Sequence, residues 1–527
     1  MKRNFVFKWI CSVITFGLTF NIATAQSAGD LDLTFGINGS AITDLGNGYD
    51  QCSGLVIQPD QKIVVGGRAQ VNGGFYPTLI RMNPDGSIDN TFGEDGITSG
   101  DVPHSTTFYA EADALAIQPD GKLLYAFHLG AWGGDGLAVT RFNDDGSIDT
   151  SFGINGTAST IPFDNSNYSN SLLLQSDGKI VLVGRGQWYD GGPGHVSAVR
   201  FNSNGILDET FAVAGFFSLN LGGTNDQALD VKQQIDGKIV MTGIKSNSGF
   251  YEYLVIRLNE NGSFDESFSD DGIFSVGISG SYDNPKFIAI RNDGSILITG
   301  IAYTENMSDF GMVLMCLTPA GEVNTSFGNN GITTYSFGVD DDFAESVAVD
   351  NEGRILVAGH VEDFYIYGAV LRFDENGILD SSFGDNGISV IDAYSYHVEN
   401  IKLQSDGKIV VCGWTGYSDT NEHHFTASRI LSEDVNSVSD LSVDASSFTL
   451  YPNPTQGQIY LKFDESHSME VSSYVLLDCF GRTISSNPIK ANADKFLIET
   501  SELAEGVYTV QLNGTHSFYC KQFVVVR

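Results

Sequence analysis

Apolar and polar positions along the chain fall into short runs, each ended by a turn. Strands such as Ile63-Val64-Val65 and Lys179-Ile180-Val181-Leu182-Val183 are apolar on both faces, so each must be covered on both sides. The runs repeat. A phrase of the form Ile88-Asp89-Asn90-Thr91-Phe92-Gly93 recurs around Phe35, Phe92, Phe152, Phe211, Phe268, Phe327 and Phe383, spaced 56 to 60 residues apart. A second phrase, an Asp-Gly-Lys turn, stands at Asp120, Asp177, Asp236 and Asp406, with variants at Asp60, Asp293 and Glu352. A third places arginine at 81, 141, 200, 257, 372 and 429, with Cys316 in the remaining slot. Three markers each count seven, and a fixed period of this kind signals a repeat architecture.

Each unit reads as four strands. In the second unit one strand follows Gly96, Ala114 to Gln118 enters the Pro119-Asp120-Gly121 turn, and Lys122 to Phe127 leaves it; Leu137 to Phe142 is the fourth. Glycine takes the left-handed conformation that closes such a hairpin. Unit one carries Gln61 in that slot, at a strain of roughly 1 kcal/mol. Units sandwiched between neighbours form a β-propeller, whereas an open solenoid would need polar end caps that neither terminal unit resembles. The expected fold is therefore all-β: a seven-bladed β-propeller followed by a small C-terminal β-sandwich. Its regular Asp-Gly turns should gather on one rim and its loops of variable length on the other.

The pattern Gln-Pro-Asp-Gly-Lys, then Arg-Phe-Asn-x-Asp-Gly-Ser-Ile-Asp-x-x-Phe-Gly, resembles the delta-60 repeat of bacterial secreted proteins over residues 31–431. The resemblance implies a propeller-like domain and no established chemistry. After a polar stretch at 432–447, Tyr451-Pro452-Asn453-Pro454 opens a run of strands that passes Gly506-Val507-Tyr508. These residues resemble the C-terminal sorting domain of the type IX secretion system. That implies recognition of residues 448–527 by the secretion machinery, and a secreted or surface-attached product. Residues 1–25 read as an export signal, with Lys2, Arg3 and Lys8 ahead of an apolar run and Ala23-Thr24-Ala25 at its end. The expected organisation is signal 1–25, propeller 26–431, linker 432–447 and sorting domain 448–527. No transmembrane segment is expected after signal removal.

Charge narrows the partners. Sixty-five acids against 28 bases give −37, and −40 once the three bases of the signal are removed. That field repels nucleic acid. Six cysteines, one of them in the signal, form neither a Cys-x-x-Cys pair nor a disulfide scaffold. Cys412 reads as a small buried hydrophobe, and Cys479 and Cys520 share the last domain and could pair.

Candidate chemistry is sparse. No nucleophile elbow, zinc-protease motif or phosphate-binding loop is present, so neither catalytic residues nor an organic cofactor are assigned. Glu422-His423-His424 reads as a solvated loop, since adjacent strand residues point to opposite faces. Calcium is the one cation the acid-rich turns Asn143-Asp144-Asp145-Gly146 and Asp374-Glu375-Asn376-Gly377 invite, yet neither ends in a chelating glutamate, and β-turns are the default. The recurring arginine is expected to fork onto an aspartate such as Asp89.

The variable loops carry aromatics: Phe75, Tyr76, Trp132, Trp188, Tyr189, Phe250, Tyr251, Phe364, Tyr365 and Tyr417. Of these, Trp132, Trp188, Tyr189, Phe250, Tyr251, Phe364 and Tyr365 form the candidate ligand site, since exposed rings on a rigid scaffold suit sugars and other flat ligands. The alternative is that several pack between blades. The leading expectation is a binding or adhesion module for a polysaccharide or a surface protein. A carbohydrate-active hydrolase or lyase is the first alternative, with Asp135, Asp190, Asp309 and Glu362 as candidate acids, and a passive envelope protein is the second.

Overall fold

A computed structural model describes residues 26–434 and 448–526, apart from 47, 72–73, 100–108, 131–135, 190–191, 248, 304–308, 338–339, 363–365, 392–395, 418–421, 456, 464–470, 478–482, 489–494, 502, 505 and 515–517. The export signal, most of the linker, Trp132, Asp135, Asp190, Phe364, Tyr365 and Cys479 lie outside the described residues, as do the side chains of Tyr417 and Cys520. The chain divides into two compact units, one spanning Ser27–Asp434 and the other containing Val435–Arg527.

The first unit is built of seven four-stranded antiparallel sheets among the described residues. Their inner strands are Gln51–Ile57, Tyr109–Ile117, Ser166–Leu174, Gln227–Gln233, Asn284–Ile290, Asp342–Val349 and Tyr396–Leu403. Each inner strand touches the inner strands of the sheets before and after it, and the seventh, Tyr396–Leu403, touches the first, Gln51–Ile57, so the ring closes. An apolar layer fills every gap between sheets; Val183, Ala228, Met241 and Leu254, for example, share one cluster. Faces that are apolar on both sides are thereby covered on both sides.

The sequence unit and the sheet are out of phase by one strand. The strand that opens each unit, such as Thr157–Thr160, pairs as the outermost strand of the preceding sheet. The expected unit of four strands is real, but its first strand belongs to the sheet before. The offset closes the ring, because the strand at Ser40–Thr43 pairs antiparallel with Glu422–Ile430 of the seventh sheet. Asp32 reinforces the clasp, its carboxylate accepting from the Arg429 Nε at 2.9 Å.

The hairpin turns follow the predicted chemistry. Gly121 has φ 87°, and its N–H donates to the Gln118 carbonyl at 2.9 Å. Gln61 is forced to φ 67° in the same place. Every inner strand also carries a β-bulge, between Cys52 and Gly54 in the first sheet and between Val398 and Asn400 in the seventh. The bulge leaves one extra residue per inner strand outside the ladder.

The recurring arginine is a staple between sheets. Arg81 donates from Nε to Asp89 Oδ2 at 2.7 Å, from Nη2 to Thr91 and from Nη1 to the Asp144 carbonyl of the next sheet, and its guanidinium lies 4.7 Å from the Phe92 ring centroid. The expected two-oxygen fork is not formed. One Asp89 oxygen takes the cations Arg81 and Lys62, while the other accepts from the Thr91 N–H and hydroxyl. Equivalent staples stand at Arg141, Arg200, Arg257, Arg372 and Arg429. The fifth sheet, with Cys316 in the slot, receives its guanidinium from elsewhere: Arg291 donates from Nη1 to the Glu375 carbonyl at 2.9 Å.

The second unit is a sandwich of a three-stranded sheet (Phe448–Tyr451, Gln458–Phe463, Lys495–Glu499) and a four-stranded one (Val471–Leu477, Thr483–Pro488, Gly506–Gly514, Phe518–Val525). Leu450, Ile459, Leu461 and Ile498 from one meet Leu476, Tyr508, Val510 and Val525 from the other.

Candidate binding face

Antiparallel alternation fixes which loops share a rim. The Asp-Gly-Lys turns and the closing phrases lie together on one side. The inner-strand turns there ring a depression of about 1210 Å³, lined in part by Gln58, Gln118, Gln175 and Gln404. The closing turns spend their carboxylates on local bonds: Asp145 accepts from the Ser147 N–H and hydroxyl, and Asp374 from the N–H groups of Asn376 and Ile378. Among the described residues no three His, Cys, Asp or Glu side chains come together in a metal-holding arrangement.

The opposite rim, formed by the loops of variable length, holds the aromatic surface. Among the described residues of the ring the exposed aromatics are Tyr49, Tyr168, Trp188, Tyr189, Phe250 and Tyr282, and all six stand at this rim. The exposed large side chains of the other rim are aliphatic, such as Ile235 and Ile154. Trp188 and Tyr189 are 47% and 63% exposed, and the indole rests against Phe163 at 4.9 Å. Phe250 is exposed, while Tyr251 is half-buried and packs on Tyr282 at 4.6 Å. Phe75 and Tyr76 are half-buried, and Phe75 lies under the Arg68 guanidinium at 4.9 Å. The structure thus brings Tyr251 into a larger aromatic surface and keeps Trp188 and Tyr189 in a separate group on the third sheet.

That larger surface is an arc the sequence did not reveal. From Tyr251 it runs through Tyr282 to Phe310, which also stacks on Tyr303 at 4.3 Å. Phe310 leads to Phe343, His360 and His397, and His397 lies parallel to Trp414 at 3.8 Å. Trp414 stacks on His423, which meets the edge of Tyr49. His423 and His424 therefore sit on the strand Glu422–Ile430 and not in a solvated loop; they do point to opposite sides, with His424 3.5 Å from Asp44. A histidine before one bulge (His397) and another opposite Phe343 (His360) meet because neighbouring inner strands repeat the same register.

Beneath the arc the bulges of sheets five, six and seven aim Lys286, Glu345 and Glu399 at the ring axis. Lys286 pairs with Glu345 at 3.0 Å, and Glu399 accepts from the Trp414 indole N–H at 3.3 Å. Burial and the Glu345 charge push the Glu399 carboxyl up to about 7, against the opposing pull of Lys286. Burial, aided by the Lys286 charge, depresses His360 to about 4, and burial with its two imidazole neighbours depresses His397 to about 3. The arc is therefore neutral at physiological pH. It offers flat apolar faces above a small charged floor. Of the candidate acids, Asp309 and Glu362 stand half-buried at this rim, and burial with the Asp341 and Asp340 charges raises Glu362.

Two family models match the chain. The DUF5122 β-propeller, a domain of unknown function, matches residues 58–92, 118–152, 175–211, 234–268 and 404–423. The secretion-system C-terminal sorting domain matches residues 449–526. The chain is a repeat β-propeller carrying a type IX sorting domain. The sorting domain indicates a secreted or cell-surface protein and implies an interaction with the type IX machinery. No curated protein matches the chain. Among solved structures the propeller is similar to an inactive virginiamycin B lyase from Staphylococcus aureus in complex with quinupristin (14% identity, 74% of this chain and 98% of that one, TM-score 0.41). It is also similar to the polysaccharide lyase Uly1 (11%, 74% and 91%, 0.42) and to a Dyadobacter fermentans protein of unknown function (11%, 75% and 98%, 0.40).

Proposed function

We propose that this exported propeller is a binding module that takes a polysaccharide, or a glycan-bearing surface protein, on its variable-loop rim, and that it works attached to the outer membrane or released from it. The observation that carries the reading is the segregation of the ring's exposed aromatics to that rim, around a channel mouth floored by Lys286, Glu345 and Glu399. Sugar rings present flat C–H faces that stack on aromatic planes, and their hydroxyls need a few convergent polar groups. The rim supplies both. Trp188 and Tyr189 form one contact patch and Phe250, Tyr251 and Tyr282 another.

A polysaccharide array probed with the full exported chain tests this. Trp188→Ala/Tyr189→Ala and Phe250→Ala/Tyr282→Ala should each weaken retention at least tenfold with melting unchanged. Wild-type retention by both variants would discard the reading. A second reading, a glycan hydrolase or lyase, is favoured by one observation: Glu399, raised to about 7, can hold a proton at neutral pH beside the lysine-paired Glu345. Product release that Glu399→Gln abolishes, while retention persists, would select it.

A further inference from the structure

The ring has seven seams where one sheet packs on the next. At each of them the outermost strand of one sheet runs on into the inner strand of the next, as Ser40–Thr43 of the seventh sheet runs on into Gln51–Ile57 of the first. The chain's two ends meet inside the seventh sheet, where strand pairing and side-chain contacts hold Ser40–Thr43 to Glu422–Ile430, so at the closing seam, between the seventh and first sheets, the three other strands of the seventh sheet face residues far from them in sequence. The seam positions can be compared by register. One partner is the residue just before the bulge of an inner strand, and the other is the residue of the preceding sheet's second strand that faces the position after its own bulge. At the third seam these are Ala228 and Val183, which share one apolar cluster. The register-equivalent positions at five of the remaining seams are filled by Gly, Ala, Ser, Thr, Val and Pro. At the closing seam both are cysteine: Cys52 before the first bulge and Cys412 opposite Asn400.

The two thiols are buried together. Cys52 is 1% and Cys412 0% exposed, and they belong to one core cluster. Both sulfurs converge on a single acceptor, the Gly54 carbonyl, at 3.7 and 3.5 Å. We propose that Cys52 and Cys412 form a disulfide in the exported protein and that this bond locks the propeller ring covalently, tying the first sheet to the C-terminal strands of the seventh.

The oxidant is the donor disulfide of a thiol–disulfide oxidoreductase of the oxidising compartment that the exported chain crosses. One cysteine, as thiolate, attacks the donor disulfide and expels a donor thiolate, giving a mixed disulfide. The second cysteine attacks the first cysteine's sulfur, forms the Cys52–Cys412 bond and expels the other donor thiolate. The two protons leave with the donor, which ends as a dithiol. Burial raises the Cys52 thiol well above its ordinary value. The exchange therefore belongs to the stage before the seam shuts, while the thiols are still in water.

Full-length chain collected after export, never exposed to reductant, is denatured in an alkylating reagent and mapped. Cys52 and Cys412 should resist alkylation until reduced and appear as one linked peptide, while Cys316 is alkylated at once. Alkylation of both without reduction would overturn the proposal. The double variant Cys52→Ala/Cys412→Val copies the Ala228/Val183 pair that the third seam already accommodates. It should melt several degrees below the oxidised wild type and ignore reductant, and reduced wild type should fall to meet it. A wild type whose melting is indifferent to reductant would refute the locking role.

Discussion

Replacing Arg200 by alanine removes a staple whose parts can be counted. The side chain is 2% exposed, donates from Nε to Asp208 Oδ2 at 2.8 Å and from Nη1 to the Glu260 carbonyl of the next sheet, and lies 4.5 Å from the Phe211 ring centroid. Asp208 is itself 4% exposed and would keep only Lys179, at 3.7 Å, as a cationic partner. Removing one member of a buried pair costs about 3–5 kcal/mol, and the lost cation–π contact adds roughly 1 kcal/mol. The remaining lysine offsets part of this, leaving about 4 kcal/mol. Unfolding entropy of ~2.1 cal/mol/K per residue over roughly 400 residues is about 0.8 kcal/mol/K, so Tm should fall by about 5 °C. The assay is calorimetry of Arg200→Ala, Asp208→Ala and the double variant, which should lose less than the two single variants together. The pH dependence adds a signature. Burial alone would raise the Asp208 carboxyl, but the Thr210 bonds and the Arg200 charge outweigh it and hold it below the ordinary value. Its stabilisation is complete above the unfolded carboxylate pKa and is lost as pH falls through the folded value. Without Arg200 that loss begins at a higher pH. A melting curve within about 1 °C of wild type, or an unmoved acid limb, would refute the reasoning.

Gln61→Gly should relieve the left-handed strain at the first hairpin and raise stability by about 1 kcal/mol, less the exposed bond its side chain accepts from the Ser405 N–H; an unchanged or lower Tm would contradict it. Asp342 is fully buried, with Oδ1 unpartnered, and burial pushes it up to about 7. A raised carboxyl favours folding while protonated and costs stability as pH climbs from the unfolded to the folded value. Asp342→Asn, which keeps an acceptor for the Phe337 N–H, should therefore gain about 2 kcal/mol on wild type between pH 5 and pH 8, read as the difference in denaturant midpoints. A constant difference across that range would rule this out.

The repeat made the propeller legible, since turn glycines, the stapling arginine and the Phe-Gly phrase each serve the same local geometry seven times. Sheet membership was less legible. Nothing local distinguishes a strand that opens its own sheet from one that finishes the last, and Ser40–Thr43 discloses the offset only by pairing with Glu422–Ile430. The site was partly readable. Trp188, Tyr189 and Phe250 stood out as rings in loops of irregular length, and they are exposed. His360, His397 and Trp414 did not, because each lies inside a strand and becomes a neighbour of the others only through strand register and the packing of the sixth sheet on the seventh. Glu345 and Glu399 were hidden for a related reason: a bulge turns each toward the axis, and no alternation of apolar and polar residues announces it. Cys412 did read as a buried small residue, but its partner Cys52 lies 360 positions away.

Oxidative footprinting of the full exported chain, with and without a retained polysaccharide, tests most directly where a ligand sits. Protection should fall on Trp188, Tyr189, Phe250 and Tyr282 and leave Pro59 and Ile235 on the opposite rim unchanged. Protection of Pro59 and Ile235 with those four aromatic rings still oxidised would place the ligand at the regular turns and contradict the account.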